Sequence, residues 1–96
     1  METKSMVFKV YLGPPCQMAV ITKVLSDFGL DATIYHTEGM WKGEIEHSTI
    51  VELVFIKVDP FTASALVHSF AGVLKFELKP EAILITRSIL EDAQVI

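Results

Sequence analysis

The groups most able to do chemistry are concentrated between positions 35 and 47. Tyr35, His36, Glu38, Trp41, Lys42, Glu44, Glu46 and His47 stand there, interleaved with Gly39 and Gly43. The segment holds the only tryptophan and two of the three histidines of the 96-residue chain. An aromatic ring beside glycine turns is a common binding surface, because the ring offers apolar area and a stacking face. The structural alternative is that Trp41 closes the end of the core while its neighbours face water. His36 and His47 can meet across a hairpin, and with Glu38 or Glu46 they have the donor types that suit Zn²⁺. The spacing is not that of a ligand set, so no metal is assigned. A His/Glu pair can also act as general acid and base, but only within hydrogen-bond reach, and no catalytic residue is assigned.

Elsewhere the chemistry thins out. Cys16 stands where a helix begins, which favours a thiolate, yet a free cysteine is usually a small buried hydrophobe. Leu12-Gly13-Pro14-Pro15-Cys16 is not a phosphate loop: it has one glycine, and its prolines remove amide donors. His68 is expected to be exposed or at an interface. Arg87, the only arginine, and Lys42 are the cations that could meet a small anionic ligand, while Trp41 or Tyr35 could stack on a base. The expected ligand-binding set is therefore Tyr35, His36, Trp41, Lys42, Glu46, His47 and Arg87, with no cofactor.

These residues need strands and helices to hold them. Met6 to Leu12 reads as a strand, ended by Gly13-Pro14-Pro15. Cys16 to Phe28 has helical spacing in Met18, Ile21, Leu25 and Phe28, with Gly29 placed to take a positive φ after it. Ala32 to Thr37 is a second strand, and 38–43 a hairpin connection or flared loop. Glu44 to Val58 is a long third strand that alternates first and is nearly all apolar later. Its length predicts a bulge or bend near Ser48. Asp59-Pro60 is a helix start, with aspartate as cap and proline in the first turn. Ala63, Leu66, Val67, Phe70, Ala71 and Leu74 make the stripe of that helix. Lys75 to Lys79 reads as a connection, and Ala82 to Ser88 as a fourth strand. The order β-α-β-β-α-β is the split arrangement of a ferredoxin-like α+β domain, a four-stranded antiparallel sheet with two helices on one face. One domain over 1–96 is expected, with 1–5 a flexible N-terminus and 89–96 a tail or extra strand.

Composition sets the limits. The chain is 51% hydrophobic and 21% charged. A small domain that apolar either covers both sheet faces or keeps apolar surface for a partner, so self-association is expected, as is docking of the apolar 89–96 tail on a neighbour. The net charge of -4, from 8 basic and 12 acidic residues, leaves no cationic face for duplex nucleic acid or a membrane surface. The longest apolar run, 53–56, cannot span a bilayer, and the first five residues do not resemble a secretory signal. One cysteine cannot form an internal disulfide. A cytoplasmic location is the resulting expectation.

Gly39-Met40-Trp41-Lys42-Gly43-Glu44-Ile45-Glu46, followed by Val51-Glu52-Leu53-Val54-Phe55-Ile56-Lys57, resembles part of the CutA proteins, which carry a tryptophan-glycine hairpin and then a long strand ending in isoleucine-lysine. Lys79-Pro80-Glu81-Ala82-Ile83 is similar to their proline-glutamate-isoleucine segment. The hairpin is also similar to that of small uncharacterised proteins of bacteria and their phages. The resemblance implies a PII-like, ferredoxin-like fold and a homo-oligomer, with a trimer favoured. In it sheets would pack edge to edge and sites would lie in clefts between subunits, with Trp41, Lys42 and Glu46 as the motif positions. The function expected is non-catalytic binding of a small ligand, a nucleotide or signalling molecule, between subunits, as in a phage-type sequestering protein. An acidic protein-interaction module or inhibitor is the alternative, and a small enzyme using a His/Glu pair ranks below both.

Overall fold

A computed structural model describes residues 2–14, 17–80 and 82–96, with the backbone alone at position 41. The elements are β1 (Lys4–Leu12), α1 (Met18–Phe28), β2 (Thr33–Trp41), β3 (Glu44–Val58), α2 (Pro60–Leu78) and β4 (Ile83–Leu90). All neighbouring strands run antiparallel in the order β2-β3-β1-β4.

Period-two alternation decides which face of the sheet is covered. Met6, Phe8, Val10 and Leu12 of β1 and Val51 and Leu53 of β3 are fully buried, whereas the residues between them are not. The buried set meets Ile21, Val24 and Leu25 of α1 and Ala63, Val67, Phe70, Ala71, Leu74 and Leu78 of α2 in one core. Both helices thus lie on one face. Phe8 packs edge to face on Phe55, and Phe70 on Phe28, the arrangement favoured by ring quadrupoles.

The helix ends follow their sequence signals. Asp59 accepts from the backbone N–H groups of Phe61 and Thr62, and its carboxylate also takes the Thr62 hydroxyl at 2.6 Å. Gly29, at φ 65°, closes α1 by returning its N–H to the last turn, a backbone conformation that glycine enters without penalty. At the start of α1 Gln17 is the cap residue, and Cys16 lies outside the described residues.

Four boundaries differ from expectation. Lys4 and Ser5 belong to β1 rather than to a loose N-terminus, because Lys4 pairs with Val58 and Ser5 with Leu90. β2 continues through the glycine to Trp41, since each of its residues finds a partner in β3. α2 runs on to Leu78, whose side chain extends the buried stripe one turn beyond Leu74. β4 includes Ile89 and Leu90, so only 91–96 lack regular structure. The bulge is displaced as well. β3 is regular through Ser48, and the irregularity falls where Lys57, at φ 52°, adds a residue opposite Ser5. The Ser5 hydroxyl accepts the Lys57 N–H at 3.0 Å, providing the partner that the broken ladder does not. Among the described residues no helix is long and apolar enough to cross a membrane.

Candidate functional site

The hairpin turns on Lys42 and Gly43, whose φ values are both positive, 51° and 78°. That is the two-residue turn whose twist matches the flanking strands. It sets the register: Trp41 faces Glu44, Glu38 faces His47, and His36 faces Thr49. Directly opposed residues share a face. His36, Glu38, His47 and Thr49 therefore lie on the side of the sheet that carries the helices, and Tyr35, Thr37, Ser48 and Glu46 on the other.

Beyond the core the helix side of the hairpin is uncovered, and a pocket of about 410 Å³ opens at its root. His36, Thr37, Glu38, His47, Ser48 and Thr49 line it from the hairpin, and Leu12 and Pro14 close it from the β1–α1 connection. The His36 Nδ1 lies 3.3 Å from the Thr49 hydroxyl, itself almost fully buried. The His47 Nδ1 is 3.7 Å from a Glu38 carboxylate oxygen, with both side chains largely exposed. A Cβ added at Gly13 would stand 3.9 Å from a Glu46 carboxylate oxygen, which puts Glu46 beside the same connection. On the pocket's face the lining offers the Thr49 hydroxyl, two imidazoles and one carboxylate, with neither lysine nor arginine among the described lining residues. Among the described residues no group of three or more His, Cys, Asp or Glu is placed to hold a metal.

The expected site residues are thus only partly assembled within one chain. His36 and His47 share the pocket, while Glu46 approaches Gly13 from the other face of the sheet. Lys42 is at the hairpin tip. Trp41 has its backbone at the end of β2, and its side chain lies outside the described residues. Tyr35 projects from the opposite face, where its hydroxyl donates to Glu52. Arg87 lies farthest away, on edge strand β4 in a separate groove with Lys4 and Phe61. Sequence reading passed over Thr37, Ser48 and Thr49 as lining residues and Glu52 as the partner of Tyr35. Counting back from a two-residue turn at 42–43 would have found Thr49 opposite His36.

The hydrogen bond to Glu52 is the main reason the Tyr35 phenol is held above its ordinary pKa of 10.0, with desolvation and the carboxylate's charge adding to it. The proton is then bound more tightly in the folded chain than in the unfolded one. Any stability it contributes is present below pH 10 and fades as pH rises through the shifted value. Absorbance titration at 295 nm should show one tyrosine ionising late, and Glu52→Gln should bring it back to the ordinary range. A late phenolate unchanged in Glu52→Gln would rule out this cause.

No protein-family model and no curated protein sequence matches the chain. Solved structures do. A phage SAM lyase in complex with S-methyl-5'-thioadenosine is similar at TM-score 0.72 and 13% identity, over 93% of this chain and 84% of that one. CutA1 from Oryza sativa is similar at TM-score 0.57 and 11% identity, over 97% and 85%. GlnK of B. subtilis, as an ATP complex, is similar at TM-score 0.56 and 17% identity, over 92% and 84%. At these identities the likeness is one of fold: the chain has the ferredoxin-like fold shared by PII- and CutA-like proteins and the phage lyase.

Proposed function

We propose that this protein is a homo-oligomer, a trimer, that binds a small adenosine-type ligand in clefts built around the hairpin pocket and completed by a neighbouring subunit. The observation that carries the reading is the pocket itself. It is large enough for a nucleoside, lined by the Thr49 hydroxyl and two imidazoles, groups that can donate or accept, and open on one side. Two of the similar structures hold adenosine compounds, S-methyl-5'-thioadenosine and ATP. Absence of lysine and arginine from the described lining favours an uncharged nucleoside over a triphosphate.

Support for self-association comes from the sheet face opposite the helices. Val54, Leu84 and Tyr35 are 53%, 59% and 41% exposed there, beside half-buried Val7, Tyr11 and Ile50. An antiparallel sheet normally turns polar residues to water on its free face. Here Leu84, Tyr11, Ile50 and Tyr35 form an apolar row across all four strands, which the polar row of Lys9, Glu52 and Thr86 separates from Val7 and Val54. Such exposed apolar area marks an interface.

Calorimetry with S-methyl-5'-thioadenosine, S-adenosylmethionine and ATP tests the reading. The thioadenosine should bind more tightly than ATP. His36→Ala should weaken binding roughly tenfold, the equivalent of one hydrogen bond. If none of the three compounds gives heat or raises Tm, the reading fails.

One observation favours a catalytic version. The Tyr35 phenol donates to the Glu52 carboxylate on the sheet face away from the hairpin pocket, so in this version the pair comes from the neighbouring subunit that completes the cleft, in a fold shared with a SAM lyase. Loss of S-adenosylmethionine, followed by chromatography and abolished by Tyr35→Phe, would establish it. Binding without turnover would leave the protein a binder.

A further inference from the structure

A second groove, of about 460 Å³, lies at the opposite end of the sheet from the hairpin. It is lined by Lys4, Pro60, Phe61, Ser64, Arg87 and Ile89. Its origin is topological. Arg87 and Ile89 face the helix side, because they pair with the buried Phe8 and Met6. β4 is an edge strand, however, and α2 covers only its earlier residues, so Ile83 and Ile85 are half-buried while Ile89 is 50% exposed. Phe61, in the first turn of α2, is 84% exposed. The groove therefore pairs apolar walls with two cations. Lys4 is 3.9 Å from Glu2, and Arg87 has no ion pair among the described residues.

The chain carries a segment of complementary character. Residues 91–96 leave β4 as Glu91-Asp92-Ala93-Gln94-Val95-Ile96, two carboxylates followed by two branched apolar side chains. They form no regular structure, and Val95 and Ile96 are 87% and 111% exposed. Fully exposed branched side chains and an open apolar groove each leave apolar area in contact with water.

We infer that the groove lined by Lys4, Phe61, Arg87 and Ile89 is the seat of segment 91–96 of a second copy of the chain. Glu91 and Asp92 of that copy lie against Arg87 and Lys4, and its Val95 and Ile96 cover Phe61 and Ile89. A second copy is favoured over the chain's own tail for a geometric reason. The backbone already bends at Glu91 and Asp92, yet the chain's own Val95 and Ile96 stay 87% and 111% exposed and its own groove stays open. The inference rests on the oligomer proposed above and adds the contact that the hairpin end of the molecule cannot make. It also gives Arg87 a role apart from the ligand.

The test uses isotopically labelled chains carrying Ser64→Cys mixed with unlabelled chains carrying Val95→Cys, under gentle oxidation and peptide mass analysis. The expected product is a disulfide joining labelled position 64 to unlabelled position 95. Arg87→Glu should abolish it, and adding Glu91→Lys with Asp92→Lys to that background should restore it. A chain bearing both cysteines that closes on itself in preference would put the tail in its own groove and overturn the inference. So would a mixed sample with no 64–95 link. Native mass measured on the same samples separates the two ideas. An intact oligomer without the link overturns tail docking alone, whereas a monomer at every concentration overturns the oligomer as well.

Discussion

Phe70→Ala is expected to destabilise the fold by about 3–5 kcal/mol, the range for deleting a fully buried aromatic ring. Phe70 is 0% exposed and lies edge to face on Phe28, 6.1 Å between centroids at 85°. Its removal loses both the transfer energy of the ring and the contact that ties α1 to α2, and the core around it is too interlocked to collapse into the space. A domain of this size has a net stability of roughly 5–15 kcal/mol, so the variant would stand close to unfolding at ambient temperature. Urea denaturation should show a much lower midpoint with the slope unchanged. A loss below about 1 kcal/mol would mean that the two helices do not share the core described.

The second large effect concerns the free face of the sheet. Leu84→Asp and Val54→Asp each put a carboxylate where a neighbour is proposed to pack. In an isolated chain both side chains are more than half exposed, so the fold should tolerate them and the far-ultraviolet circular dichroism should be unchanged. In an assembly the same carboxylates are desolvated without a partner, at a cost of several kcal/mol each. That corresponds to self-association weakened by about a hundredfold or more. Light scattering after size exclusion should give the monomer mass for the double variant and a multiple of it for the parent protein. A double variant that keeps the parent mass would show that this face is not the interface.

The elements were legible because their signals are local. Asp59-Pro60 begins α2 where a cap and a first-turn proline must stand, and the alternation of β1 names its buried face directly. What was missed depends on pairing partners remote in sequence. The end of β2 read as a loop because Gly39 is a poor strand residue by itself; the nine-residue ladder with β3 overrides it. The bulge was expected near Ser48, where the hydrophobic pattern changes. It occurs at Lys57 instead, a position fixed by the Ser5 hydroxyl on a strand more than fifty residues away. The site shows the same division. The sequence suggests that His36 and His47 face each other across the hairpin; they lie on one face of it, but the register sets His36 opposite Thr49 and His47 opposite Glu38. Tyr35 and Arg87 were grouped with them by residue type, yet alternation sends Tyr35 to the other face and strand order sends Arg87 to the other edge.

The order β2-β3-β1-β4 also has a consequence for how the chain is made. The hairpin of β2 and β3 closes through two residues and can form as soon as it is synthesised. β1 emerges first, but both strands that flank it come later: β3 ends at Val58 and β4 at Leu90. Until β3 is made, Met6, Phe8, Val10 and Leu12 have no sheet to belong to, and the nascent chain carries its most deeply buried strand unpaired. Pairings this distant slow folding and prolong exposure to aggregation. A chain stalled on the ribosome before β3 has emerged should therefore bind a chaperone that recognises extended apolar segments, with β1 as the segment held.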